Sequence, residues 1–274
     1  TKDKIIEKDE RLALTVAAAG YTVADTAMII DDVTRRTAAN TAITYTLPAT
    51  GVNEGTTPAI NFNLPAGVTT EIPIKISLPS NVATETATRG TDYVLPASFT
   101  FSSGGTGSAT LDVKADNLVE DVEKISITPS ASDDYGTATY AFTPALFDLN
   151  INDAQYPFPA GDSVLLTSVP DTVLEGNNVQ ITATFPHGWI AGKDWTITLA
   201  KDAVKSTAAD SRHGTVPASI TITKASNSGT ATSTAFNTTT NNVFDDDAIL
   251  AINGNVGNTN MPAKTASVYI KDNT

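Results

Sequence analysis

The stretch Asp116-Asn117-Leu118-Val119-Glu120-Asp121-Val122-Glu123-Lys124-Ile125-Ser126-Ile127-Thr128 decides the fold, because the chain writes it three times. It opens the sequence as Asp3-Lys4-Ile5-Ile6-Glu7-Lys8-Asp9-Glu10-Arg11-Leu12-Ala13-Leu14-Thr15. A looser copy runs Asn241-Asn242-Val243-Phe244-Asp245-Asp246-Asp247-Ala248-Ile249-Leu250-Ala251-Ile252. Each copy is an acidic loop leading into an alternating apolar strand. Repetition on this scale means tandem domains.

Other markers keep the same order. Val52-Asn53-Glu54-Gly55 returns as Val173-Leu174-Glu175-Gly176, with 121 positions from Glu54 to Glu175. Pro96-Ala97-Ser98-Phe99-Thr100-Phe101 returns at the same offset as Pro217-Ala218-Ser219-Ile220-Thr221-Ile222. A strand closing on Asp appears as Met28-Ile29-Ile30-Asp31-Asp32, Leu149-Asn150-Ile151-Asn152-Asp153 and Val268-Tyr269-Ile270-Lys271-Asp272. The map that follows is a tail of one repeat over 1–36, a complete repeat over 37–157 and a divergent one over 158–274. Both ends of the sequence read as cuts in a longer polypeptide. Tyr156-Pro157-Phe158-Pro159 marks a short, proline-stiffened joint.

The dominant period is two. Ile60, Phe62 and Leu64 alternate with Asn61 and Asn63, and Ile72, Ile74, Ile76 and Leu78 alternate with Pro73, Lys75 and Ser77. One face of each strand is apolar, as a two-sheet sandwich requires. Pro73 cannot donate to a ladder and belongs at an edge or bulge. Glu10 to Ala19 is rich in helix formers. Its equivalent, Lys124-Ile125-Ser126-Ile127-Thr128-Pro129, is β-branched and proline-ended, so both are strands, with Leu12, Leu14 and Val16 expected on the inner face.

Composition sets limits. The 274 residues are 41% hydrophobic, enough to build cores, and carry a net charge of −13. Phosphate backbones need clustered Lys and Arg, so nucleic acid is excluded as a partner. No stretch has the apolar length of a membrane span, so no insertion is expected. With no Cys there is neither a disulfide nor a thiolate site. His187 and His213 are the only histidines and lie far apart, which argues against zinc and against a Ser-His-Asp hydrolase; the chain is read as a non-enzyme. Trp189, next to Gly188, is either a sugar-stacking platform or a plug at the end of a sandwich.

Residues 37–157 resemble the Calx-β family. The likeness rests on Glu54-Gly55, the turn Gly90-Thr91-Asp92-Tyr93, the acidic run from Asp116 to Glu123, and Asn152-Asp153. It implies an all-β chain of tandem immunoglobulin-like Greek-key sandwiches. It also implies Ca2+ ligands at one end of the repeat: Glu54, Asp92, Asp116, Glu120, Glu123 and Asp153, with Asn152 adding an oxygen. Calcium accepts six to eight oxygens in irregular geometry, and the spacing from Asp116 through Glu120 to Glu123 lets one bent loop present several.

The last repeat departs from the pattern. His213 stands for Asp92, Asn241 for Asp116 and Ala248 for Glu123, while Glu175, Asp245, Asp247 and Asp272 remain. Having lost charge, this site binds calcium weakly or not at all. The opening fragment keeps Asp3, Glu7, Glu10 and Asp32.

By the same resemblance the chain is a calcium-stiffened stalk segment of a large, secreted cell-surface adhesin. Its partners would be neighbouring repeats and surface glycans or other cell-surface proteins. Two other readings use the same residues: a metal-free spacer whose acids only solubilise it, and a carbohydrate- or protein-binding module with Trp189 at its face.

Overall fold

The computed structural model describes residues 5–8, 10–29, 42–80, 83–101, 103–133, 140–241, 243–257 and 261–273. Asp3, Ile30, Asp31, Asp32 and Asn242 lie outside these residues. The chain divides into two compact units, one of residues 1–115 and 122–152, the other of 116–121 and 153–274.

In the first unit one sheet runs in the order Thr106–Thr110, Ala59–Asn63, Ala42–Tyr45, Ala141–Thr143. Two further groups run in the orders Ser98–Phe101, Ile74–Ser77, Ser130–Asp133 and Glu123–Ile127, Phe147–Asn152, Val52–Asn53, with the middle strand of each pairing to both neighbours. Glu123–Ile127 and Ser130–Asp133 are one run of chain broken at Thr128-Pro129. Pro73 stands immediately before Ile74–Ser77, where its missing donor costs the ladder nothing. The alternating residues read from the sequence form the core: Ile60, Phe62, Ile74, Ile76, Ile125, Ile127, Phe147 and Leu149 are all 0–2% exposed. Tyr45 rests on Phe62 and Phe147, with centroids 5.3 and 5.7 Å away.

The second unit repeats the plan. Leu165–Val169, Asn178–Thr184 and Thr230–Thr232 form one sheet; Thr172–Leu174, Ala266–Lys271, Ala248–Asn255, Trp195–Lys201 and Ser219–Ile222 form the other. The chain passes repeatedly from one sheet to the other, which makes an immunoglobulin-like sandwich. In both units the strand before the Glu-Gly turn pairs in parallel with the last strand: Val52 with Ile151, Val173 with Ile270. Gly55 and Gly176 follow with φ of 73° and 85°, the left-handed region that excludes most side chains and explains the Glu-Gly pair.

Each acidic-loop copy leads into an antiparallel strand pair; counted from the closing Asp, the second and third pairs share one register and the first is one residue out of it. Glu10 faces Ile29 and Leu12 faces Ala27; Glu123 faces Ile151 and Ile125 faces Leu149; Ala248 faces Ile270 and Leu250 faces Val268. The two later pairs are buried on their inner faces. In the first hairpin, Glu10–Ala18 with Tyr21–Ile29, the sequence expectation of an inner face is corrected: Leu12, Leu14 and Val16 are 55, 60 and 57% exposed. Period two sets which residues share a face; only a second layer can cover it. Ahead of this hairpin, Ile5–Ile6 pairs in parallel with Thr69–Thr70, and Ile6 is fully buried in the first unit's core.

Candidate metal centre

The acidic loop 116–121 is held by the second unit through the apolar residue at its middle. Leu118–Val119 pairs in parallel with Ile190–Ala191, and Val119 is fully buried. The Gly192 amide donates to the Val119 carbonyl at 3.1 Å, and the Trp195 indole Nε1 donates to the same oxygen at 3.0 Å. Trp195 packs beside Tyr156, centroids 5.4 Å apart, and beneath the Lys193 ammonium, 4.2 Å from its ring centre. Lys193 also pairs with Asp121. Gly192 leaves room for the loop: a Cβ there would stand 2.1 Å from Glu120 Cγ.

This anchoring gathers Asp116, Glu120 and Asp153. Asp116 Oδ1 accepts from the Leu118 amide at 2.7 Å, a turn that fixes its carboxylate. Asp153 Oδ2 accepts from the Glu120 amide at 2.7 Å and Oδ1 from the Gln155 amide at 2.6 Å. Carboxylate oxygens of Asp116 and Glu120 lie within 4.8 Å of one another. Burial pushes the Asp153 carboxyl above its ordinary pKa and the nearby Asp116 charge adds to this, while the amides of Glu120, Gln155 and Tyr156 pull it down. Gln155 was not anticipated: it is 8% exposed, its Nε2 donates to the Asp116 carbonyl at 2.8 Å, and its Oε1 has no hydrogen-bond partner among the described residues. The donors are all oxygens, the chemistry that suits Ca2+ or Mg2+ rather than Zn2+. A divalent ion would relieve the repulsion between crowded carboxylates and favour the ionised form of Asp153.

The other residues named for the middle repeat belong to the first unit. The Glu54 amide donates to the Asn152 carbonyl at 3.2 Å. Asn152 Nδ2 donates to Asn53 Oδ1 at 3.1 Å and to the Thr50 carbonyl at 3.2 Å. Asp92 Oδ2 accepts from the Thr88 amide at 2.5 Å, closing its turn, and Glu123 starts its strand opposite Ile151. Glu7 is half-buried beyond Ile5–Ile6, and Glu10 is exposed at the start of the first hairpin.

The second unit's own acidic end copies the loop. Asn241 Oδ1 accepts from the Val243 amide at 2.7 Å, and Asp272 Oδ2 from the Asp245 amide at 2.9 Å, the same pattern as Asp116 and Asp153. Asp247 Oδ1 accepts from the Asp272 amide at 3.3 Å. The Glu175 amide donates to the Lys271 carbonyl at 3.1 Å, as Glu54 does to Asn152. Trp189 is half-buried, edge-on to Phe158 with centroids 5.4 Å apart and 5.0 Å from the His187 ring, so most of it serves packing.

No family model matches this sequence, and no curated protein matches it. Among solved structures, it is similar to CBD12 from CALX1.2 at 9% identity and a TM-score of 0.33, covering 84% of this chain and 99% of that one. It is similar to an ICAM-5 ectodomain fragment at 13% identity and a TM-score of 0.37, covering 97% and 62%. It is also similar to the C-terminal domain of the Streptococcus pyogenes antigen I/II-family protein AspA at 7% identity and a TM-score of 0.28, covering 84% and 99%. These likenesses are too distant to bear on function, and the fold rests on strand order and register.

Proposed function

We propose that the chain is a structural and adhesive stalk segment of a secreted cell-surface protein, built from Calx-β-like repeats over 37–157 and 158–274, with 1–36 belonging to a further repeat. The observation that carries this reading is the antiparallel strand pair that follows each of the three acidic-loop copies. Two of these strand pairs share one register and sit inside sandwiches, and the third, one residue out of that register, shows its apolar face to solvent. Fully burying a Leu, Ile or Val side chain is worth ~1.5–3 kcal/mol. Leu12, Leu14, Val16, Val23 and Ile29 therefore favour a neighbouring repeat that covers them.

Calcium is the proposed stiffening ligand, held by Asp116, Glu120 and Asp153; Glu54, Asp92, Glu123 and Asn152 stay candidates by resemblance. Asp3 and Asp32 stay candidates by resemblance alone, as do Glu7 and Glu10. A metal-free spacer is the rival. Chemistry on a substrate finds no support in the histidines: His187 Nε2 is paired with Asp162 at 3.0 Å, and His213 Nδ1 with the Gly214 carbonyl at 2.8 Å.

Hydrogen exchange tests the array. In a longer chain carrying one more repeat ahead of Ile5, amides of Glu10–Ala18 and Tyr21–Ile29 should exchange about 100-fold more slowly or better than in this chain, because burial raises the opening free energy. Equal rates in the two chains would refute the tandem reading of the hairpin.

A further inference from the structure

In the second unit one buried carboxylate is already matched by a cation. The Glu175 side chain is 0% exposed and that of Arg212 is 11% exposed. Arg212 Nε and Nη2 both donate to Glu175 Oε1, at 3.0 and 2.7 Å, and Nη1 donates to the Asp246 carbonyl at 2.6 Å. The guanidinium lines a shallow pocket together with Asn241, Asp245, Asp246 and Asp247. Glu175 Oε2 is buried with no hydrogen-bond partner among the described residues. An ionised carboxylate so placed is tolerated only with a counter-charge.

Sequence position makes the substitution legible. Arg212 stands where the first repeat has Thr91, and His213 where it has Asp92, so this turn has exchanged an acid for basic residues. A second change acts in the same direction. Asn241 keeps the turn that Asp116 makes, and its Nδ2 donates to Asp245 Oδ2 at 2.9 Å. In the earlier loop the corresponding groups are two carboxylates within 4.8 Å of one another. A repulsive pair has become a hydrogen bond on the same backbone.

We infer that Arg212 is the resident cation of the second unit: its guanidinium occupies the position at Glu175 that a divalent ion would fill, and with Asn241 it closes that acidic end without metal. The Arg212–Glu175 pair stands on its own geometry; the comparison with a metal ion rests on the calcium reading above. One stalk would then contain a metal-responsive loop at 116–120 and a metal-indifferent end at 241–247.

The test uses the whole chain. Trp189 and Trp195 are its only tryptophans and both lie in the second unit, so tryptophan fluorescence reports the unfolding of that unit. Arg212→Met removes the charge and keeps much of the bulk. In EDTA it should raise the unfolding constant by about 10²–10³-fold, the penalty for stranding a buried partner. Adding Glu175→Gln should recover most of that loss. Millimolar Ca2+ should restore Arg212→Met, because a divalent ion can enter the vacated position. Full stability of Arg212→Met in EDTA, or no rescue by Glu175→Gln, would overturn the resident-cation assignment. Failure of both Ca2+ and Mg2+ to restore Arg212→Met would overturn the claim that the guanidinium fills a cation site. The EDTA arms contain no metal, so they stand apart from any failure of calcium to act at Asp116 and Glu120, which a double substitution at those two residues reads separately.

Discussion

Trp195→Ala should cost the second unit about 3–5 kcal/mol, the range for truncating a large buried aromatic, measured by denaturant unfolding with Trp189 as the remaining fluorophore. Trp195 is 5% exposed and combines three roles: core packing, the indole donor to the Val119 carbonyl, and a surface for the Lys193 ammonium. Its loss opens a cavity and also frees the loop that carries Asp116 and Glu120. Trp195→Phe separates these contributions. It keeps most of the packing and removes the indole donor while the Gly192 amide still reaches the Val119 carbonyl, so it should cost about 0.5–1.5 kcal/mol, the net worth of one hydrogen bond. A Phe variant as stable as the parent would mean that the indole hydrogen bond does not hold the loop.

Asp116→Asn with Glu120→Gln should abolish the calcium-dependent part of stability and leave the metal-free fold intact. Ligand at 100 times its Kd stabilises by about 2.7 kcal/mol, and that increment should vanish in the double variant. Asn at 116 reproduces Asn241, which makes the same turn to its own loop, so the backbone arrangement survives while two charges disappear. In EDTA the variant should be no less stable than the parent, because a close pair of like charges has been neutralised. A calcium increment equal to the parent's would remove Asp116 and Glu120 from the site.

The parts of this architecture that sequence reveals are those with local periodicity or exact repetition. Alternation in Ile60, Phe62, Ile74 and Ile76 marks the core because a strand's side chains alternate in space. The offset from Glu54 to Glu175 is mirrored in the two parallel pairings at Val52 and Val173. The matching of Asp116 with Asn241 and of Asp153 with Asp272 reappears as the same two hydrogen bonds in each loop. Contacts between distant segments of unlike sequence left no such trace. Val119 meets Trp195 across 76 positions, and nothing in either neighbourhood announces the other. Arg212 finds Glu175 across 37 positions through a turn whose sequence no longer resembles its counterpart. Leu12, Leu14 and Val16 carry the pattern of an inner face, yet a pattern along one strand holds no information on the layer that would cover it.

The most direct test of the central claim is a thermal melt of the whole chain in EDTA, in millimolar CaCl2 and in millimolar MgCl2, followed by circular dichroism. Calcium as a folding ligand at the 116–120 loop predicts a rise in melting temperature that calcium produces and magnesium does not, and that the Asp116→Asn, Glu120→Gln variant lacks. Identical melts in all three buffers would contradict it and leave tandem sandwiches whose acids serve as a solvated rim.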